Sequence, residues 1–229
     1  MPGTLCLTFD DLFVANWVAA RPVFAEHDAR VTFCVSHLHE ATPAQIEGLH
    51  LLQSDGHEIA CHTRTHPRLK PYLQAHGLDH WLEHEVDRAI AEHRAAGFPA
   101  RSFACPFHAS TPETRAALAT RFEIVRAEGP RSLDPANPAS RIYSEIPASR
   151  CLDNLGVADM QHKAFPGWRR QHTLLDLIAR TDGLAVFTGH DIRDRKSGPG
   201  FYSTTRQIGR LIAEASNRNV SIQPMSPHK

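Results

Sequence analysis

Short apolar runs of strand length alternate along this chain with longer segments of helical spacing, and that alternation limits the fold more than any other feature. Residues 5–9, 31–35, 58–61, 102–105, 123–125, 184–188 and 220–222 are apolar or β-branched and are predicted strands. Between them, residues 13–26, 43–54, 78–96, 111–120, 172–180 and 204–217 carry the spacing of amphipathic helices. Ser110-Thr111-Pro112-Glu113 reads as a capping box for the helix at 111–120, with the Ser110 hydroxyl as the cap and Glu113 three residues on. Strands joined through helices pair in parallel by crossover connections, so the expected fold is α/β, either an open parallel sheet or a barrel. In both, the side chains that do chemistry gather at the carboxyl ends of the strands.

No internal repeat or linker divides the 229 residues, which are expected to form one domain over 1–229. The segment 129–167, rich in Pro, Ser and Asn, is expected to be long loops with one or two short elements. Lys plus Arg (25) equal Asp plus Glu (25), so no overall field draws the chain to nucleic acid or to an anionic membrane, and neither is an expected partner. No run approaches the roughly 18 apolar residues of a membrane span. The start of the sequence has no basic segment followed by a long apolar one, which leads to the expectation of a cytoplasmic protein. Cys6, Cys34, Cys61, Cys105 and Cys151 are scattered without a CxxC pair and read as reduced, buried thiols, in keeping with a reducing compartment. The oligomeric state is left open.

The chain holds 16 histidines, and their spacing is informative. In Gly56-His57-Glu58-Ile59-Ala60-Cys61-His62-Thr63-Arg64-Thr65-His66-Pro67, His62 and His66 stand four residues apart just after a predicted strand. On a helical turn they would project from one face within reach of a single ion. Two imidazoles and one carboxylate would leave room for water in the coordination shell, the open kind of site that activates water and polarises a carbonyl. Carboxylates are available at Asp10 and Asp11, which end the first predicted strand and can point apart. A rival set, His76, His80 and His84, recurs every four residues, but it has no strand before it and Asp79, Glu83 and Asp87 give it the look of a solvated face. Phe103-Ala104-Cys105-Pro106-Phe107-His108 is a strand running into a tight Pro turn whose amides could donate to an oxyanion, and residues 184–188 lead through Gly189 to His190 and Asp191.

In this order the pieces resemble the polysaccharide deacetylases, the fourth carbohydrate esterase family, also called the NodB-homology domain. The motifs are Thr8-Phe9-Asp10-Asp11, Gly56-His57-Glu58-Ile59 through His62-Thr63-x-x-His66-Pro67, Pro106-Phe107 and His190-Asp191, spread over about residues 4–224. The resemblance implies a distorted (β/α) barrel of about seven parallel strands and a single catalytic domain over 1–229. It implies one divalent metal, zinc first, with cobalt, nickel and manganese as alternatives, held by Asp11, His62 and His66. It makes Asp10 the general base toward the attacking water and His190 the general acid toward the leaving amine, and it gives the Phe107 amide, next to Pro106, to the oxyanion. The implied activity is that of a metal-dependent N-deacetylase acting on a non-peptide C–N bond of an N-acylated sugar. A small non-sugar amide as substrate, or a non-catalytic carbohydrate-binding role, is the alternative.

The chain departs from the family pattern twice. Ala104 stands where the third motif usually carries an Arg that pairs with the base, and Arg126, at the end of the next strand, could reach the same carboxylate. A subgroup of the family has that arrangement, and His190-Asp191-Ile192 followed by Ser197-Gly198-Pro199-Gly200 resembles it too. The usual Asp-Trp motif that tunes the catalytic histidine is not found, Trp168 being poorly spaced for it. For stacking on a sugar ring, the tryptophans are Trp17, Trp81 and Trp168.

Overall fold

The computed structural model describes residues 2–129, 136–162, 165 and 167–226. Its strands are β1 (Gly3–Asp11), β2 (Thr32–Val35), β3 (Glu58–Cys61), β4 (Ser102–Ala104), β5 (Ile124–Arg126), β6 (Cys151–Leu152), β7 (Gly156–Val157), β8 (Leu184–Gly189), β9 (Asp191–Arg193), β10 (Tyr202–Thr204) and β11 (Val220–Ile222). The main sheet runs β6-β5-β4-β3-β2-β1-β8-β7 with every pairing parallel, and β11 pairs with the first residues of β1. All seven predicted strands form, and the short β6 and β7 extend the sheet to its two edges. Only residues 153–155 separate β6 from β7, although they lie at opposite ends of the strand order. The four Cα–Cα steps from Leu152 to Gly156 span about 14 Å at most, so the two edges must approach and the sheet must curl into a distorted barrel. β9 and β10 form a separate parallel ribbon immediately after β8.

The period of two along β1 sorts its side chains. Leu5, Leu7 and Phe9 belong to the larger apolar cluster, with Trp17, Phe24 and Phe33, while Cys6 joins a second cluster with Cys34, Ala60, Ala104 and Val186. Burying each of the large residues contributes about 1.5–3 kcal/mol, so the face of β1 that carries them is fixed. By the same alternation Asp10 follows Cys6 and Thr8 into the barrel, and it is only 3% exposed.

The helices are α1 (Val14–Ala19), α2 (Arg21–Glu26), α3 (Pro43–Ser54), α4 (Leu69–His76), α5 (Leu78–Trp81), α6 (Arg88–Ala95), α7 (Pro112–Ala119), α8 (Trp168–Thr181) and α9 (Thr205–Ser216). Three of the predicted helices are corrected. The predicted helix 13–26 is broken at Ala20, because Pro22 has no N–H to continue the hydrogen-bond ladder. The predicted helix 78–96 is interrupted by a π-helical segment, Leu82–Asp87. The capping box of α7 sits one residue later than expected: Pro112 takes the first helical position, so Thr111 is the cap and Thr114 its reciprocal partner, in place of Ser110 and Glu113. Within 129–167, residues 130–135, 163, 164 and 166 lie outside the described residues, and the rest holds a short 3-10 turn, Pro138–Arg141, besides β6 and β7. Among the described residues no helix is long and apolar enough to cross a membrane, and all five cysteines are buried and unpaired.

Candidate active site

The residues singled out in the sequence converge at the carboxyl ends of the parallel strands. Asp10 and Asp11 close β1, His62 follows β3, Pro106 follows β4, Arg126 closes β5 and His190 follows β8. Asp11, His62 and His66 each offer a ligand-type atom within 4.8 Å of the others. The His62 and His66 Nε2 atoms are 3.1 Å apart, and His66 Nε2 is 3.5 Å from Asp11 Oδ1. No other group of three such residues meets that spacing among the described residues. The rival His76, His80 and His84 form a ring stack instead, with His80 and His84 only 3.9 Å apart at the centroids.

The donor set fits a divalent cation. His62 Nδ1 lies 2.8 Å from the Ala104 carbonyl, a geometry that places the proton on Nδ1 and leaves the Nε2 lone pair facing His66 and Asp11. Burial pushes the His62 pKa down to about 3, and burial also lowers that of His66, so both rings are neutral, as ligands must be. Burial and the neighbouring Asp10 charge raise the Asp11 pKa, a cost that a bound cation would relieve.

The loop that brings the two histidines together is strained and held from outside. Asp11, His37, Thr63, His66, Phe107 and His108 all have φ between +53° and +80°, unusual for residues other than glycine, and all stand around this centre. The π-helical segment supplies the restraint. Glu85, 4% exposed, accepts hydrogen bonds from Thr65 N–H (2.8 Å) and Thr65 Oγ1 (2.7 Å), while its carbonyl accepts from Arg64 N–H (2.9 Å). That use of Glu85 gives the helix interruption a reason, since extra-residue turns of this kind recur beside functional sites.

Asp10 belongs to a buried network. Arg126, 0% exposed, donates from Nη2 to Asp10 Oδ2 (2.6 Å) and from Nη1 to Thr8 Oγ1 (2.7 Å) and Thr188 Oγ1 (2.9 Å). Thr188 in turn donates to Asn154 Oδ1 (2.5 Å). Burial alone would raise the Asp10 pKa, but the charge of Arg126, with His62 and His190, overrides it and holds the carboxyl well below the usual range. Asp10 Oδ1 is buried and receives no N–H or O–H donor from the described residues. Arg126, at the end of the strand after Ala104, thus reaches the Asp10 carboxylate as its place in the sequence suggests.

His190 is paired with an acid even though the chain lacks the Asp-Trp motif. Asp159 Oδ2 lies 2.7 Å from His190 Nδ1, and Asp159 Oδ1 accepts from the His190 backbone N–H (2.9 Å). Asp159 is followed by Met160 in place of the sought Trp, and it lies just past the two-residue strand β7, so no periodicity announced it. Its one sequence signal was an acidic residue directly after the apolar-lined run 155–158. Burial would lower the His190 pKa, but the hydrogen bond and charge of Asp159, with Asp10 and Asp11, raise it to about 9. The Trp17 indole N–H also donates to the His190 carbonyl (2.9 Å).

The Pro106 turn closes through His108 N–H to Cys105 O and Ala109 N–H to Pro106 O, both 3.1 Å, and neither bond uses the Phe107 amide. The Phe107 ring is 48% exposed, with its centroid 4.6 Å from that of His66. Phe201, 51% exposed, lies 5.2 Å from the His190 ring and stacks on His162 at 3.9 Å. Trp17 and Trp81 are buried at 0% and 2%, so they cannot receive a sugar, and the rings offered at this mouth are Phe107 and Phe201. Trp168 packs beside Phe165 and His172 with the Arg210 guanidinium 4.0 Å over its ring.

The sequence model of the polysaccharide deacetylase family matches residues 2–121. No curated protein sequence matches the chain. Among solved structures, the fold is similar to that of a putative polysaccharide deacetylase from Mycobacterium smegmatis (TM-score 0.65, 16% identity, 98% of this chain and 88% of that one). It is also similar to a family 4 carbohydrate esterase from Streptomyces lividans in complex with acetate (0.58, 14%, 96% and 91%) and to a polysaccharide deacetylase from Bacillus cereus (0.57, 14%, 97% and 91%). At these identities the structural likeness is one of fold.

Proposed function

Because the chain belongs to the polysaccharide deacetylase family, we propose that it is a metal-dependent hydrolase that removes an N-acetyl or other short N-acyl group from an amino sugar or glycan precursor. The observation that carries this reading is the convergence of Asp11, His62 and His66 within 4.8 Å beside a buried carboxylate oxygen, Asp10 Oδ1, that no N–H or O–H donor reaches among the described residues. Asp11, His62 and His66 would hold one divalent ion, with zinc favoured by the two imidazoles and one carboxylate. When bound, such an ion polarises a carbonyl and makes water more acidic.

The chain's own groups do the rest. Asp10, kept ionised by Arg126, takes a proton at Oδ1 from the water that attacks the acyl carbon. The Phe107 amide donates to the oxygen on which negative charge develops. His190, protonated at neutral pH and held through Nδ1 by Asp159, gives its Nε2 proton to the departing amine. The C–N bond breaks, and a free amine and a carboxylate leave. Phe107 and Phe201 offer apolar faces to a sugar ring, which supports a sugar over a small non-sugar amide.

We read residues 1–229 as a single catalytic domain, and five buried, unpaired cysteines support action in the cytoplasm. The test is release of free carboxylate from a panel of N-acetylated and N-formylated amino sugars by zinc-loaded protein. At least one substrate is expected to turn over, and Asp10→Asn to slow it by at least about 100-fold. No turnover across the panel with zinc bound would overturn the reading.

A further inference from the structure

The chain has no net charge, yet one cavity collects cations. A cavity of about 430 Å³ is lined by Trp168, Arg195, Lys196, Arg206 and Arg210, against a single acid, Asp194. Among the described residues, none of these four basic side chains has a carboxylate within 4 Å. Arg210 lies over the Trp168 ring at 4.0 Å, which orients its guanidinium; its charge is felt by Glu214 one turn on, but that carboxylate pairs directly with Arg218 at 2.7 Å. Thr204 and Gln207 line the same cavity at the start of α9, where the helix adds the positive end of its dipole.

The loop that carries two of the cations is built. Arg193 donates to the Ser197 carbonyl, Ser197 N–H donates to Tyr202 Oη (3.0 Å), and Tyr202 Oη donates to the Gly198 carbonyl (3.2 Å). The loop also joins the cavity to the proposed reaction centre. Phe201, at its far end, lies 5.2 Å from the His190 ring, and five residues of chain from His190 to Arg195 span at most about 18 Å. Thr204 stands in register with Arg193, three positions along the ribbon that begins right after His190.

We infer that this cavity binds the phosphate or diphosphate of a phosphorylated N-acyl amino sugar whose acyl amide lies at the His62–His66 centre. Four cations against one acid exceed the charge of a lone carboxylate and suit the two or so negative charges of a phosphate, which guanidinium forks engage bidentately. A concave site of this size takes a small group and not a nucleic-acid duplex. The assignment of the ligand as substrate rests on the deacetylase reading, whereas the binding of phosphate here does not.

Two measurements separate them. Inorganic pyrophosphate titrated calorimetrically into zinc-loaded protein is expected to bind. Either Arg206→Gln with Arg210→Gln, or Arg195→Gln with Lys196→Gln, is expected to weaken it at least tenfold, and added salt to weaken it further. The second pair lies in an exposed loop and keeps the test valid if the first disturbs α9. Carboxylate release is then compared for N-acetylglucosamine, its 1-phosphate and its uridine diphosphate ester. The phosphorylated sugars should show a KM at least tenfold below that of the neutral sugar, a gap that both double variants erase without changing turnover of the neutral one, and the better of the two identifies the source of the phosphate. Pyrophosphate that fails to bind, or binds the variants equally well, overturns the inference. Pyrophosphate that binds while no sugar is hydrolysed leaves the phosphate site standing and removes the deacetylase reading.

Discussion

Arg126 and Asp10, separated by 116 residues in the chain, meet through a 2.6 Å charge-assisted hydrogen bond inside the barrel. Ala104 leaves the expected third-motif position without a cation, and the neighbouring strand supplies one from the barrel's far side. The pair is fully buried, so each charge depends on the other. Removing Arg126 alone, as in Arg126→Ala, is expected to destabilise the fold by about 3–5 kcal/mol through the orphaned carboxylate. Asp10→Asn keeps an acceptor oxygen for Arg126 but leaves its buried charge uncompensated, so it is expected to cost part of the same stability and to lower kcat by about 100- to 10,000-fold, the usual span for a lost general base. Chemical denaturation and steady-state kinetics measure the two effects separately.

The pairing of Asp159 with His190 makes a prediction about pH. A pKa raised to about 9 in the folded protein, against about 6.5 in the unfolded chain, means that the imidazolium stabilises the fold fully below about pH 6.5. That contribution is lost as the pH rises through about 9. In the metal-free protein the denaturation midpoint should therefore fall between pH 6.5 and 9 by more in the wild type than in Asp159→Asn. NMR titration of His190 should show its pKa drop in the variant. A wild-type His190 that titrates near 6.5 would contradict the pairing.

Glu85 holds the strained turn that presents His62 and His66. Glu85→Ala should cost roughly 1–3 kcal/mol of stability from the two lost hydrogen bonds. It should also weaken zinc binding by about 10- to 100-fold, the effect typical of groups that orient metal ligands. Competition with a zinc-selective dye measures the affinity, and Glu85→Gln, which keeps one acceptor oxygen, should fall between the two.

Burial raises the pKa of every cysteine thiol in the chain, that of Cys105 to about 12. Buried thiols of this kind are inert toward disulfide reagents. Ellman's reagent should find essentially no reactive thiol in the native protein and about five after denaturation.

Much of this arrangement is legible in the amino-acid sequence because strong local patterns coincide with it. The seven predicted strands form where apolar runs are bounded by turn residues, and the alternation in β1 already sends Asp10 and Cys6 to the same side. His62 and His66 meet because a four-residue spacing survives even though their turn is strained and not helical. What was hidden depends on long-range contacts or on very short elements. Asp159 follows a strand of only two residues, and its partner lies 31 residues away. The π-helical segment follows the same apolar pattern as a continuous helix, and only the demand of Thr65 for an acceptor distinguishes them. Phe201 has no signal at all, since an aromatic residue after a Gly-Pro-Gly loop looks the same whether it faces solvent or His190.

The most direct test of the central claim is a zinc titration of metal-free protein with carboxylate release as the readout. Activity toward an N-acyl amino sugar is expected to rise in proportion to added zinc and to level off at about one ion per chain, and His62→Ala with His66→Ala to remove both binding and turnover. Full turnover by protein stripped of metal, or a bound ion that survives loss of both histidines, would contradict it.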